Sequence, residues 1–222
     1  MNIVSCLYLV SCILFITMFN LNRHELKLLK RLNSPRKIQD YLLILPQNFE
    51  RGGDTCRSVR QALAKKEAHC IEGALLAAAA LWVNGEAPLL FDLRSRLGDQ
   101  DHIVALFRQY GHWGAISKTN HAVLRYREPI YKTLRELALS YFHEYFLDTG
   151  AKTLREYSAK PFDLRKFRKG EWLAVEDDMW DLVEAIDNAP HKALLTPAMI
   201  KTLRKADKIE IQAGRLVEWK KK

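Results

Sequence analysis

Cysteine is scarce in this sequence and badly placed for cross-linking. Of four cysteines in 222 residues, Cys6 and Cys12 fall in an apolar run near the start, which leaves Cys56 and Cys70 for the body of the chain. Nothing resembles a disulfide framework and no Cys-x-x-Cys spacing points to zinc, so the cysteine usage fits a reducing compartment. A phosphate loop, a dinucleotide fingerprint and internal repeats are also missing. Those absences argue against P-loop nucleotide chemistry, Rossmann-type redox chemistry and solenoid architectures. No metal or organic cofactor is implied.

Charge of one sign is missing where a nucleic-acid groove would need it. The net charge is +9, yet residues 38–150 hold thirteen bases and thirteen acids. The excess lies in the flanks: residues 23–37 carry six Lys/Arg against Glu25, and residues 151–222 carry sixteen bases against twelve acids. A neutral centre with basic ends does not form a phosphate-binding surface across the core, and nucleic acid is not expected as a partner. An apolar fraction of 48% and a charged fraction of 27% are those of an ordinary globular chain.

Residues 3–19 are mostly apolar but lack a basic leader and a small-x-small cleavage site, so they do not read as a cleaved signal peptide. Two readings of residues 1–21 stand. In one they are a membrane anchor, and Arg23, Lys27, Lys30 and Arg31 behind them keep the body in the cytoplasm. In the other the start is mis-assigned and the chain begins at Met18.

The clearest element is an Ala/Leu-rich helix over residues 68–85, ended by Gly85 and apolar on nearly every side, hence buried. Cys70 stands in its first turn, after Lys65 and Lys66. Unpaired N–H groups and the helix dipole favour a thiolate there. Upstream, Asn33-Ser34-Pro35 starts a helix that Pro46 ends, Gly52-Gly53 pivots a loop, and a second helix runs to about Lys66. Downstream, the period changes to two. Residues 88–93, 102–108 and 113–118 read as strands, the last two as an antiparallel hairpin, and His102 opens the middle one. Residues 122–129 read as an edge strand and residues 131–146 as an amphipathic helix. In the tail, helices are expected over 175–188 and from 196 to about 206, with a hairpin over 209–219.

A Cys at the start of a buried helix, a strand-opening His some thirty residues on, and a Gly-x-Trp strand at Gly111 and Trp113 together resemble the transglutaminase-like branch of the papain-like cysteine protease superfamily. The resemblance covers residues 34–117 and extends toward 146. It implies an α+β fold in which a buried Cys-bearing helix packs on a small antiparallel sheet, here with a helical C-terminal extension. The domains expected are a Cys-His core at 33–150 and a basic helical subdomain with a terminal hairpin at 151–222.

By the same resemblance Cys70 matches the nucleophile and His102 its base. The family's orienting Asp falls at Ser117, where no carboxylate stands. Asn120, three residues on, is preferred over Ser117 as the orienter, and Asp99 and Asp101 are nearby alternatives. The implied function is a cytoplasmic thiol-dependent hydrolase or acyltransferase acting on an amide or acyl bond. Its substrate would be a peptide, a protein or an amide-containing small molecule. The alternative is a catalytically weak or inactive domain of the same fold that binds a peptide or protein partner.

Overall fold

The computed structural model describes residues 20–96 and 98–221. The expected anchor therefore lies outside the described residues, apart from Asn20 and Leu21. Among the described residues, no helix is long and apolar enough to cross a membrane.

Four helices lead the chain: α1 (Arg23–Arg31), α2 (Pro35–Ile44), α3 (Val59–Lys65) and α4 (Cys70–Val83). Their starts follow from side-chain caps. Asn22 and Glu25 form a capping box for α1, Ser34 accepts from Lys37 N with Pro35 at the first helical position of α2, and Ser58 and Gln61 box α3. Helix α4 buries twelve of its fourteen residues. Alanine makes up much of it, so neighbouring elements approach its backbone closely.

The sheet has the order β4-β3-β2-β1-β5-β7, with β6 also pairing β1. Its strands are β1 (Leu89–Arg94), β2 (His102–Gln109), β3 (His112–Ile116), β4 (Arg127–Tyr131), β5 (Glu156–Ser158), β6 (Phe162–Asp163) and β7 (His191–Ala193), and every pairing between them is antiparallel. The class is α+β. The strands expected at 88–93, 102–108 and 113–118 form within a residue or two, but they are the middle of a larger sheet. Strands β5, β6 and β7 come from beyond residue 150. The sheet therefore crosses the boundary expected there, and the helices Pro197–Lys201 and Lys208–Gly214 follow its last strand.

Alternation along β2 assigns its side chains to two apolar layers. Ile103, Ala105 and Phe107 pack with α4, α1 and α2. Val104 and Leu106 pack on the opposite face against Leu137, Ala138, Tyr141 and Phe142 of α5 (Leu134–Phe142). The sheet is covered on both sides, so its central strands read as continuous apolar runs.

The tail departs most from expectation. The helix expected over 175–188 is the shorter α6 (Trp180–Asp187), and the next is only α7 (Pro197–Lys201). No hairpin forms at 209–219. Residues Lys208–Gly214 are helix α8, because Asp207 and Glu210 make a capping box that outweighs the alternating Ile209 and Ile211. Val217 then bridges to His121.

Gly73, on the first turn of α4, shows how tightly the site is packed. A Cβ at this position would overlap Cβ and Cγ of the buried Lys118. Lys118 cannot retreat, since its ammonium donates to the carbonyls of Leu42 (3.2 Å) and Leu45 (2.6 Å) at the end of α2. Gly73→Ala is expected to destabilise the fold by about 2 kcal/mol, an overpacking cost that outweighs the better helix propensity of alanine. A urea midpoint equal to or above that of the parent chain would refute this.

Candidate active site

The start of α4, the start of β2 and the end of β3 meet at one cleft. Cys70, half-buried, is the first residue of α4, and His102 is the first residue of β2. Ser117 directly follows β3. Three anchors fix the geometry of the cleft.

The first anchor holds Ser117. Its backbone pairs with the Gln39 side chain of α2: Gln39 Nε2 donates to Ser117 O (2.9 Å), and Ser117 N donates to Gln39 Oε1 (3.0 Å). The Ser117 hydroxyl donates to Leu124 O (2.6 Å). With its only proton so used, Oγ acts as acceptor toward His102 Nε2, 2.8 Å away. In that bond Nε2 is the donor, which leaves Nδ1 as the nitrogen that can take up or give back a proton.

The second anchor holds a residue that the sequence reading did not single out, His69. It caps α4, its Nε2 lies 2.9 Å from Thr55 O, and its Nδ1 lies 3.8 Å from Cys70 Sγ. Carboxylate oxygens of Glu50 and Glu72 stand 3.5 Å from Nε2. Burial works against charge on His69, but the hydrogen bond and charge of Cys70, then Glu72 and Glu50, overcome it and raise the imidazole to about 9. Burial likewise opposes ionisation of Cys70. Hydrogen bonds from His102 and His69, with the charges of both rings, outweigh it and bring the thiol down to about 5. Cys56 has no such neighbours: burial, with Glu72 and Asp178 adding to it, pushes its thiol up to about 12.

The third anchor is Glu72, fully buried on the first turn of α4. Its carboxylate accepts from Asn48 Nδ2 (3.0 and 3.2 Å), Thr55 Oγ1 (3.0 Å), Arg57 N (3.3 Å) and His69 N (3.1 Å). The loop from 47 to 57 is thereby tied to the helix that carries Cys70. A glutamate three residues after the cap of an otherwise apolar helix was the available sequence signal.

Asn120 does not reach His102. Its amide is committed to the C-terminal segment, accepting from Trp219 N (2.9 Å) and donating to Trp219 O (3.0 Å). The preference for Asn120 is corrected by this geometry: the residue touching the imidazole is Ser117. Asp101 and Asp99 turn elsewhere, Asp101 to Ser95 N (2.6 Å) and Asp99 to Thr153 Oγ1 (2.5 Å).

The cleft beside Cys70 and His102 measures about 520 Å³ and is lined also by Gln47, Asn120 and Arg215. Gln47 comes from the loop after α2, where it bridges in parallel to Ala68. No glutamine stands in the turn before Cys70, but the fold brings this one to the same cleft from further back. Its Oε1 is buried without a hydrogen-bond partner among the described residues. Neither a scan against family models nor a search of curated proteins returns a match to the chain.

Proposed function

We propose that the protein is a transglutaminase-like, papain-type thiol enzyme that cleaves or transfers an amide or acyl group of a peptide, a protein or an amide-containing small molecule. Cys70 is the nucleophile, His102 the base, and Ser117 the residue that orients His102. What carries the reading is that Cys70, at the start of a buried helix, and His102, at the start of a strand, line one cleft, with Nε2 of His102 held 2.8 Å from a hydroxyl.

In this reaction Cys70 Sγ attacks the acyl carbon, and the thiol proton resides on His102. His102 then passes that proton to the leaving amine as the C–N bond breaks, leaving a thioester. Water gives hydrolysis and an entering amine gives transfer; in either case His102 removes the proton of the entering group. The Cys70 backbone N–H at the helix start is one donor for the oxyanion, and the candidate second is the N–H of Gln47 Nε2 not used in its bond to Asn48 O (3.1 Å). His69, held charged near neutral pH, stabilises the thiolate rather than accepting a proton.

A second reading, a binding domain without catalysis, has one observation in its favour: the partner of His102 Nε2 is a neutral hydroxyl, which orients the ring without stabilising an imidazolium.

Alkylation of the two body cysteines by iodoacetamide across pH tests the proposal. The thiolate of Cys70 should titrate near pH 5, while Cys56 should stay unlabelled at neutral pH. The rate gain is modest, because a more acidic thiolate is a weaker nucleophile. At pH 6 about 300-fold more thiolate than an ordinary thiol is offset by about 40-fold lower intrinsic reactivity, a net of about tenfold. The midpoint is therefore the decisive readout, and a Cys70 that titrates at an ordinary pH of about 8.5 would sink the proposal. An activated aryl ester separates the two readings. An enzyme releases a stoichiometric burst of leaving group that Cys70→Ser removes, whereas a binding domain labels at low pH and gives no burst.

A further inference from the structure

A second cavity of about 580 Å³ also reaches Cys70, and its chemistry is opposite to that of the chain as a whole. The protein carries a net charge of +9, yet six acidic residues line this cavity against Arg96 and His69. Three of them converge. One oxygen each from Asp92 on β1, Asp101 just before β2 and Asp187 at the end of α6 lie within 4.8 Å of one another.

Asp92 supplies an independent observation. It is 1% exposed and lines the cavity. Its Oδ2 has a partner in His191 Nε2 (2.9 Å), but its Oδ1 is buried with none among the described residues. A buried carboxylate oxygen left unpaired is costly and calls for an occupant. Arg94 does not fill the role. Its Nε is 3.9 Å from Oδ2 of both Asp92 and Asp101, beyond hydrogen-bond distance, and its terminal nitrogens go to Asp187 O (2.6 Å) and toward Glu156 (3.5 Å).

We propose that Asp92, Asp101 and Asp187 bind a hard divalent cation of the Ca²⁺ or Mg²⁺ kind, with water from the open cavity completing its shell. The donors are all oxygens, as such ions require, and two ligands of one Ca²⁺ at about 2.4 Å each can stand as far apart as these carboxylates do. His191, whose Nδ1 lies 2.7 Å from Ala189 O, fixes the outer oxygen of Asp92 in the way a carboxylate–histidine pair orients a metal ligand. The site makes no use of the thiol.

Terbium titration of the full chain tests this, because Trp180 lines the same cavity two turns before Asp187. Indole excitation should give saturable Tb³⁺ luminescence that Ca²⁺ or Mg²⁺ displaces, and the more effective competitor identifies the ion. Asp187→Asn should weaken binding by about tenfold or more. Asp187 is exposed and its side chain holds no structural bond, so this variant should melt like the parent chain. Trp180→Phe should lose the sensitised signal while calorimetry still detects the cation. Cys70→Ser should leave binding unchanged, which separates this site from the thiol chemistry. The proposal is overturned if no saturable signal appears, if Asp187→Asn binds as tightly as the parent chain, or if n-butylammonium displaces Tb³⁺ where Ca²⁺ and Mg²⁺ do not.

Discussion

Removing both imidazoles, as in the His69→Ala/His102→Ala double variant, is expected to move the Cys70 titration from about 5 to above the ordinary thiol range. The direction follows from what remains. Burial raises the thiol, and the two rings are what oppose it. With a midpoint at or above about 8.5, the thiolate at pH 6 falls by about 300-fold. Thiolate ultraviolet absorbance measures this directly, without a substrate. The single variants divide the roles. Each should raise the midpoint part of the way, since each ring favours the thiolate. Only His102→Ala should also abolish the ester burst, because His69 is held protonated to about pH 9 and cannot take up a proton at neutral pH. A His69→Ala chain that titrates like the parent would remove His69 from the thiolate's support.

The parts of this arrangement legible in the sequence are those carried by strong local patterns. An Ala-rich helix with a Cys in its first turn, and a His opening a short apolar strand bounded by polar turns, are readable because burial is written in consecutive residues. The partners of those residues were less accessible. Gln39 reaches Ser117 across seventy-eight positions of chain, and Gln47 arrives from a loop whose path no local signal specifies. Asn120 has the better chemistry for an orienter, but the C-terminal segment claims its amide through Trp219, a pairing ninety-nine residues apart. The tail misled for a related reason. Its strands are two or three residues long, too short to show a period; β5 and β6 form on the edge that β1 offers, and β7 forms on β5. His69 was the most recoverable omission, since a polar residue immediately before a helical Cys stands at the cap.

Glu72→Ala is expected to cost the fold about 3–5 kcal/mol, more than any single truncation among the side chains at the cleft. The carboxylate is fully buried and accepts from Asn48, Thr55, Arg57 N and His69 N. Truncation removes the acceptor and leaves those donors inside, with the penalty of unpaired buried groups added to a small cavity. For a chain of this size that corresponds to a fall in Tm of about 10 °C. Glu72→Gln keeps the volume and one acceptor oxygen, but brings an amide donor against the Asn48 amide and the two backbone N–H groups, so it should fall between the two. The loop from 47 to 57 carries Gln47, Glu50 and Thr55, and Glu72 is its tie to the helix of Cys70. Loosening that tie should therefore speed proteolysis within the loop before global unfolding. Limited proteolysis and a urea melt measure the two effects, and a loss below about 1 kcal/mol would mean that water replaces the carboxylate at this position.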